Sequence, residues 1–208
     1  MFIFFLLLQT SVCNLTISVY VTPDFSGIND MSSTEKGEMA KGMKKEYIEK
    51  IYAGWLAKVI GVRYGAPVES WTYEKIKKFY GTLDDYPQDY KLFAADDDTN
   101  GPLFFLRGLE DSGHYKDGGK DFCAQDVADA LLNYAPYEHG FFWWGGYGIS
   151  TEHTAYLNLR NGIPAPRSGS IEQNGAATAE QIGGQIFIDT WGLVAPGNPD
   201  LAARLARE

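Results

Sequence analysis

Apolar residues recur at intervals of three and four in a series of short blocks, most of them closed by glycine, proline or asparagine. A chain punctuated this way folds as many short helices. The first block runs from Lys44, with Ile48, Ile51, Tyr52, Trp55, Leu56 and Val59 on one face, and Gly61 and Gly65 end it. Thr72 caps a second helix through Tyr80, stopped by Gly81. Pro102 marks the first turn of a third, expected to bury Leu103, Phe104, Leu106 and Leu109 before Gly113 closes it. Val127, Leu131 and Tyr134 stripe a fourth helix that Pro136 stops, and a fifth runs from Thr151 to Arg160, ending at Asn161 and Gly162. Ala176, Ala177 and Ala179 open a closely packed helix expected to continue towards Trp191. Asn198 and Pro199 begin a last one through Leu201 and Leu205. The alternation of strands and helices that a parallel sheet needs is absent, so the predicted fold class is all-α.

The totals narrow the function. With 208 residues, 45% hydrophobic and 22% charged, the chain is long enough for one globular domain with a core. A formal charge of -9 argues against nucleic-acid binding through a basic surface, because such affinity comes from Lys and Arg releasing counterions. Clustered carboxylates and a divalent cation are compatible with that acidity. Cys13 and Cys123 are too few for a disulfide framework and lack zinc spacing, and Cys123 reads as a small buried apolar residue.

The first 22 residues carry no ionisable side chain. The run "MFIFFLLL" resembles the apolar part of a secretory signal without the basic residues that precede one, and it is too short to span a bilayer. The alternation of Leu15, Ile17, Val19 and Val21 with Thr16, Ser18, Tyr20 and Thr22 reads equally as a strand. A third reading starts the working protein near Met31, Met39 or Met43. Residues 1–42 are accordingly expected to be an extension and linker. The expected location is cytoplasmic, or secreted if residues 1–13 are a signal.

Three consecutive carboxylates, Asp96, Asp97 and Asp98, stand directly before the apolar run of the third helix. One aspartate suffices to cap a helix, a role expected of Asp98 or Thr99. Three repel one another unless a cation sits among them, and hard oxygens in that number suit Mg2+, Mn2+ or Ca2+ better than zinc. Glu69, beyond a Gly-Ala-Pro turn, is a candidate acid, base or orienting carboxylate, and its alternative is a plain surface glutamate. Asn174 and Gly175 form a turn entering a helix, where backbone N–H groups can receive phosphate oxygens. The aromatic run "FFWWGGY" can stack on a base or sugar face, with about half its rings expected in the core instead.

Taken together, "IYAGWLAKVIGVRYGAPVE", "DDDTNGPL", "GGYG" and "QNGAATAEQIGG" followed by "WGLVAPGNPDLAARLA" resemble the ADP-ribosylglycohydrolase family in order and spacing over residues 47 to 208. The resemblance implies a multi-helix orthogonal bundle and hydrolysis of an N- or O-glycosidic ADP-ribosyl bond. Glu69 matches the family's active-site glutamate. Asp96, Asp97 and Asp98 fall on a Thr-Asp-Asp-Thr motif whose first three residues ligate a pair of Mg2+ ions, with Mn2+ a substitute. Here Asp96 replaces the leading threonine, while Asp97, Asp98 and Thr99 match. Asn174, Gly175 and Ala176 correspond to a segment that contacts ADP-ribose, and the loop of Tyr147 is expected to border the same cleft. The family's second metal motif, Asp-x-Asp-Thr, is not supplied after Asn174, so residues 43–208 are expected to be the front part of the domain and catalytically incomplete alone.

The expected partner is therefore an ADP-ribosylated substrate or related glycoside, with no stable membrane span and with oligomeric state open. Two rivals differ in class. Aspartate-rich helices also hold diphosphates through Mg2+ in isoprenoid synthases, but Asn100 and Gly101 stand where a further acid is needed. A nucleotide- or carbohydrate-binding or structural relative that has lost hydrolysis would keep the same fold.

Overall fold

A computed structural model describes residues 4–10, 13–19, 33–89, 96–139 and 142–208. Tyr20 to Thr22, Met31, Gly140 and Phe141, which entered the sequence reading, lie outside the described residues. Strands β1 (Phe4–Thr10) and β2 (Cys13–Val19) pair antiparallel with Leu8 opposite Leu15. Beyond them the described chain is helical, and the fold class is all-α as predicted. None of the described helices is long and apolar enough to cross a membrane. Two compact units are distinguished, Asp24–Ala94 and a second made of Met1–Pro23 with Ala95–Glu208.

The first unit holds α1 (Ser33–Gly65) and α2 (Tyr73–Tyr80). Helix α1 begins at Ser33, so residues 33–42 of the segment expected to be extension and linker are its first turns. It runs through Gly61 and ends at Gly65. Its apolar stripe is two rows wide and only one row is covered: Ile51, Trp55 and Val59 are half-buried, whereas Ile48, Tyr52, Leu56 and Ile60 are exposed. Helix α2 has the predicted ends, with the Thr72 side chain accepting from the Lys75 amide at 3.2 Å and Gly81 in the left-handed region at φ 70°. Between the helices Tyr64 donates its hydroxyl to the Leu83 carbonyl at 2.6 Å, fixing the loop after α2 to the end of α1.

In the second unit α3 (Asp97–Asp111) and α4 (Ala124–Tyr134) form the principal helix pair. Their crossing is close because Gly108 has no side chain. A Cβ there would stand 2.7 Å from the Asp126 carbonyl oxygen. Alternating sides of α3 feed two apolar clusters. Phe104 joins Ala128, Leu131, Phe142, Tyr156, Leu159 and Phe187. Leu106 and Leu109 join Phe122, Trp191 and Leu205, with half-buried Leu103 against them. Burial of each large side chain contributes about 2 kcal/mol. Cys123 is exposed rather than buried. It precedes α4, and its backbone N–H donates to Asp126 Oδ2 at 2.9 Å, satisfying an amide that has no helical acceptor.

Helix α3 starts five residues earlier than Pro102 suggests. Proline is costly inside a helix because it removes one N–H, and here the bond removed is only the one that would run to the Asp98 carbonyl in the first turn. Helix α5 (Thr151–Arg160) has its predicted bounds, capped by Ser150, which accepts from the His153 amide at 3.1 Å. The long helix expected after Asn174 is instead a chain of single turns, α6 (Ile171–Asn174), α7 (Ala176–Ala179), α8 (Gly183–Ile186) and α9 (Asp189–Val194). Glycine at 175, 183 and 184 weakens a continuous ladder, and side-chain hydrogen bonds to α5 hold these turns in its place. Helix α10 (Pro199–Arg207) is capped by Asn198 and buries Leu205.

Candidate functional site

The aspartate cluster begins α3. Asp96 is the N-cap, its Oδ1 accepting from the Asp98 amide at 2.9 Å, so capping falls on the first aspartate and not on Asp98 or Thr99. Its carbonyl is a hub: the Thr99 hydroxyl donates to it at 3.1 Å and the Asn100 side-chain amide at 2.7 Å. The Asp98 amide is shared with Asp97 Oδ1 at 3.0 Å. All three carboxylates are half-buried, and one oxygen from each lies within 4.8 Å of the others. Just behind them, a Cβ on Gly101 would meet the Phe187 ring at 2.8 Å and the Phe142 ring at 3.1 Å. The acidic cluster is thus set against apolar rings, and a hard divalent cation fits its donor set.

Sequence reasoning missed Glu152. It lies in the first turn of α5, half-buried, with Gly183 so close that a Cβ there would be 2.7 Å from its Oε1. Burial first, and then the negative charge of Asp97, hold its carboxyl above the ordinary range. The second influence ties α5 electrostatically to the start of α3, so a fourth carboxylate belongs to this acidic neighbourhood. A small-residue signal at Gly183 and Gly184 was the only hint in the sequence.

Asn174, Gly175 and Ala176 lie at the junction of α6 and α7. The Asn174 side chain turns inward, its Nδ2 donating to the Ser168 carbonyl at 2.8 Å and its Oδ1 accepting from Asn158 at 2.7 Å. Gly175 and Ala176 are exposed, and Gly175 has φ 77°, a conformation that favours glycine. Helix α7 is one turn, so the dipole expected to assist phosphate binding is small.

The aromatic run divides. Phe142 is buried, and Trp144 packs edge-on to Tyr137, His153 and Tyr156. Trp143 and Tyr147 are exposed at 52% and 56%. The glycines on either side of Tyr147 are fixed to α5, with the Gly146 amide donating to His153 Nδ1 at 3.1 Å and the Gly148 amide to Thr154 Oγ1 at 2.9 Å. Because Nδ1 accepts, the proton of the neutral His153 ring is on Nε2.

Glu69 belongs to the other unit. It follows the 3-10 turn Ala66–Val68, is exposed, and is succeeded by Ser70 with φ 61°. The turn that delivers it is closed by the Trp71 amide donating to the Val68 carbonyl at 3.0 Å. A second group with metal-ligand chemistry, His114, Asp117 and Asp121, also has ligand atoms within 4.8 Å. Its hydrogen bonds already account for it as a loop clasp. His114 Nδ1 meets Asp117 Oδ2 at 3.1 Å, and the Lys120 amide donates to Asp117 Oδ1 at 2.8 Å.

Beyond its hairpin the described chain is helical, and it carries a carboxylate cluster at the start of α3. Residues 43–208 match the ADP-ribosylglycohydrolase family, and the chain belongs to it. No curated protein and no solved structure matches the chain.

Proposed function

We infer that the chain acts in metal-dependent hydrolysis of an ADP-ribosyl N- or O-glycosidic bond. One observation carries this reading: three half-buried carboxylates with oxygens within 4.8 Å at the head of α3, inside the family-matched segment. Asp96, Asp97 and Asp98 would hold Mg2+, or Mn2+ in its place. The bound ion would supply positive charge to polarise ribose oxygens and water. Asp96 in place of threonine adds a negative charge, which favours a divalent over a monovalent cation.

The chain's own residues bind and orient. Glu69 positions or protonates at the scissile bond, where glycoside cleavage builds positive charge on the sugar carbon. Gly175 and Ala176 present exposed backbone to ADP-ribose, with Asn174 fixing the turn. The exposed Tyr147 ring offers a stacking face for adenine or sugar.

Isothermal titration with ADP-ribose tests the reading. Binding in Mg2+ buffer that falls at least about ten-fold with EDTA supports it, corresponding to about 1.4 kcal/mol. Equal affinity in both buffers contradicts metal dependence, and absence of binding contradicts the substrate class.

A further inference from the structure

Helix α5 buries a row of polar residues. Ser150, Thr154 and Asn158 follow at four-residue intervals and are 0%, 1% and 1% exposed. Buried polar groups cost stability unless every one is paired, so such a row on one face must meet matching partners. The partners are two separate segments. On one side stands the glycine-aromatic loop: Ser150 Oγ donates to the Trp143 carbonyl at 2.6 Å, and Thr154 Oγ1 accepts from Gly148. On the other stands the chain from Ser168 to Gln181, which meets the row through Asn158 and also meets the loop directly, the Thr178 hydroxyl donating to the Gly148 carbonyl at 3.1 Å.

Asn158 touches both sides at once. Its Oδ1 accepts from the Tyr147 hydroxyl at 3.1 Å, and its Nδ2 donates to the Ser168 carbonyl at 2.8 Å and to Asn174 Oδ1 at 2.7 Å. Tyr147 is otherwise an exposed ring on a loop with left-handed glycines at 146 and 148. Without its hydroxyl anchor the ring has many orientations open to it, and fixing one of them before a ligand arrives removes an entropic cost of binding. A carboxamide is suited to this bridge because it accepts and donates at the same time.

We propose that Asn158 is a positioning residue that locks the Tyr147 ring and the Asn174–Ala176 turn in one register, making them the two walls of a single ADP-ribose subsite. The proposal rests on the ADP-ribose reading above and adds how its two contact segments are made to act together. Asn158 itself, fully buried, acts through Tyr147 and Asn174 and does not touch the ligand.

The test is ADP-ribose affinity in Mg2+ buffer for wild type, Tyr147→Phe, Asn158→Leu and the double variant, with thermal stability measured alongside. Tyr147→Phe keeps the ring and removes only the anchor. It is expected to weaken binding about five-fold, the worth of one hydrogen bond. Asn158→Leu is expected to weaken it at least about ten-fold, and the double variant to bind no worse than Asn158→Leu alone. A residue with only a structural role would lower the melting temperature and leave Kd unchanged. Unchanged Kd in Tyr147→Phe, or additive losses in the double variant, overturns the proposal. Should Asn158→Leu fail to fold, Tyr147→Phe decides alone, since its exposed site tolerates the change. A wild type that binds no ADP-ribose removes the functional reading and this proposal together, whereas a wild type that binds with Tyr147→Phe equally tight removes only the proposal.

Discussion

The α3–α4 pair and the surroundings of α5 are both buried and are held chiefly by different means. Between α3 and α4 the contact is mainly apolar, with Tyr134 hydrogen-bonded to Arg107 and Asp111 at its end, and its distinctive residue is one without a side chain, Gly108, which admits the Asp126 backbone. Around α5 the fully buried groups are hydroxyls and amides, and what they hold are loops and single turns with no ladder of their own. Apolar packing is tolerant of partner and strict about volume. Hydrogen-bonded packing is strict about partner, and this makes it the means of fixing irregular chain where a ligand would be met.

Breaking the first region should cost most. Gly108→Ala places a methyl 2.7 Å from a backbone oxygen that cannot rotate away, and is expected to destabilise the protein by about 3 kcal/mol, read as a lowered denaturation midpoint. A loss below about 1 kcal/mol would mean that the helices part easily and that the contrast is overstated. The second region is probed by Thr154→Val, which preserves shape while orphaning the Gly148 amide and the bond to the Ser150 carbonyl. The expected loss is about 2 kcal/mol, with faster hydrogen exchange at Gly148 and none at α4. Exchange that rises in α4 as well would show the two regions to be one cooperative unit.

The smallest effect sharpens the acidic end of α5. The Glu152 carboxyl is raised by burial and by Asp97, so its stabilising contribution is fully present below its unfolded value and is lost as pH rises through the folded one. In EDTA, Glu152→Gln should therefore be more stable than wild type at pH 7, and the advantage should vanish near pH 4, about the unperturbed carboxyl range. An advantage that is the same at both pH values would separate Glu152 from the acidic neighbourhood.

The same contrast explains what was legible in the sequence. Apolar spacing located α4, and explicit caps and stops located α2, α5 and α10 closely, such as Thr72 and Gly81, Asn161 and Gly162, and Asn198. The aspartate cluster was legible because three adjacent like charges need a reason. The network of Ser150, Thr154 and Asn158 was not, since polar residues at four-residue spacing read as a solvated face until their partners are known. The broken segment after Asn174 was misread for a related reason: alanine and glycine say little about which bonds replace a ladder. Pro102 misplaced the start of α3 because a first-turn proline and one just beyond it differ by a single backbone bond. Glu152 carried no local signal, as its environment is made by residues far away in the chain.

The central claim is that Asp96, Asp97 and Asp98 gather to hold a divalent cation and not merely to begin a helix. Titration of the protein with Mn2+, following the free ion by electron paramagnetic resonance, tests it for wild type against Asp97→Ala. Asp97 is not the cap, so the variant should keep the fold. The account predicts saturable binding by wild type and at least about ten-fold weaker binding by Asp97→Ala, equivalent to about 1.4 kcal/mol. Equal binding by the two proteins, or none by wild type, would contradict it.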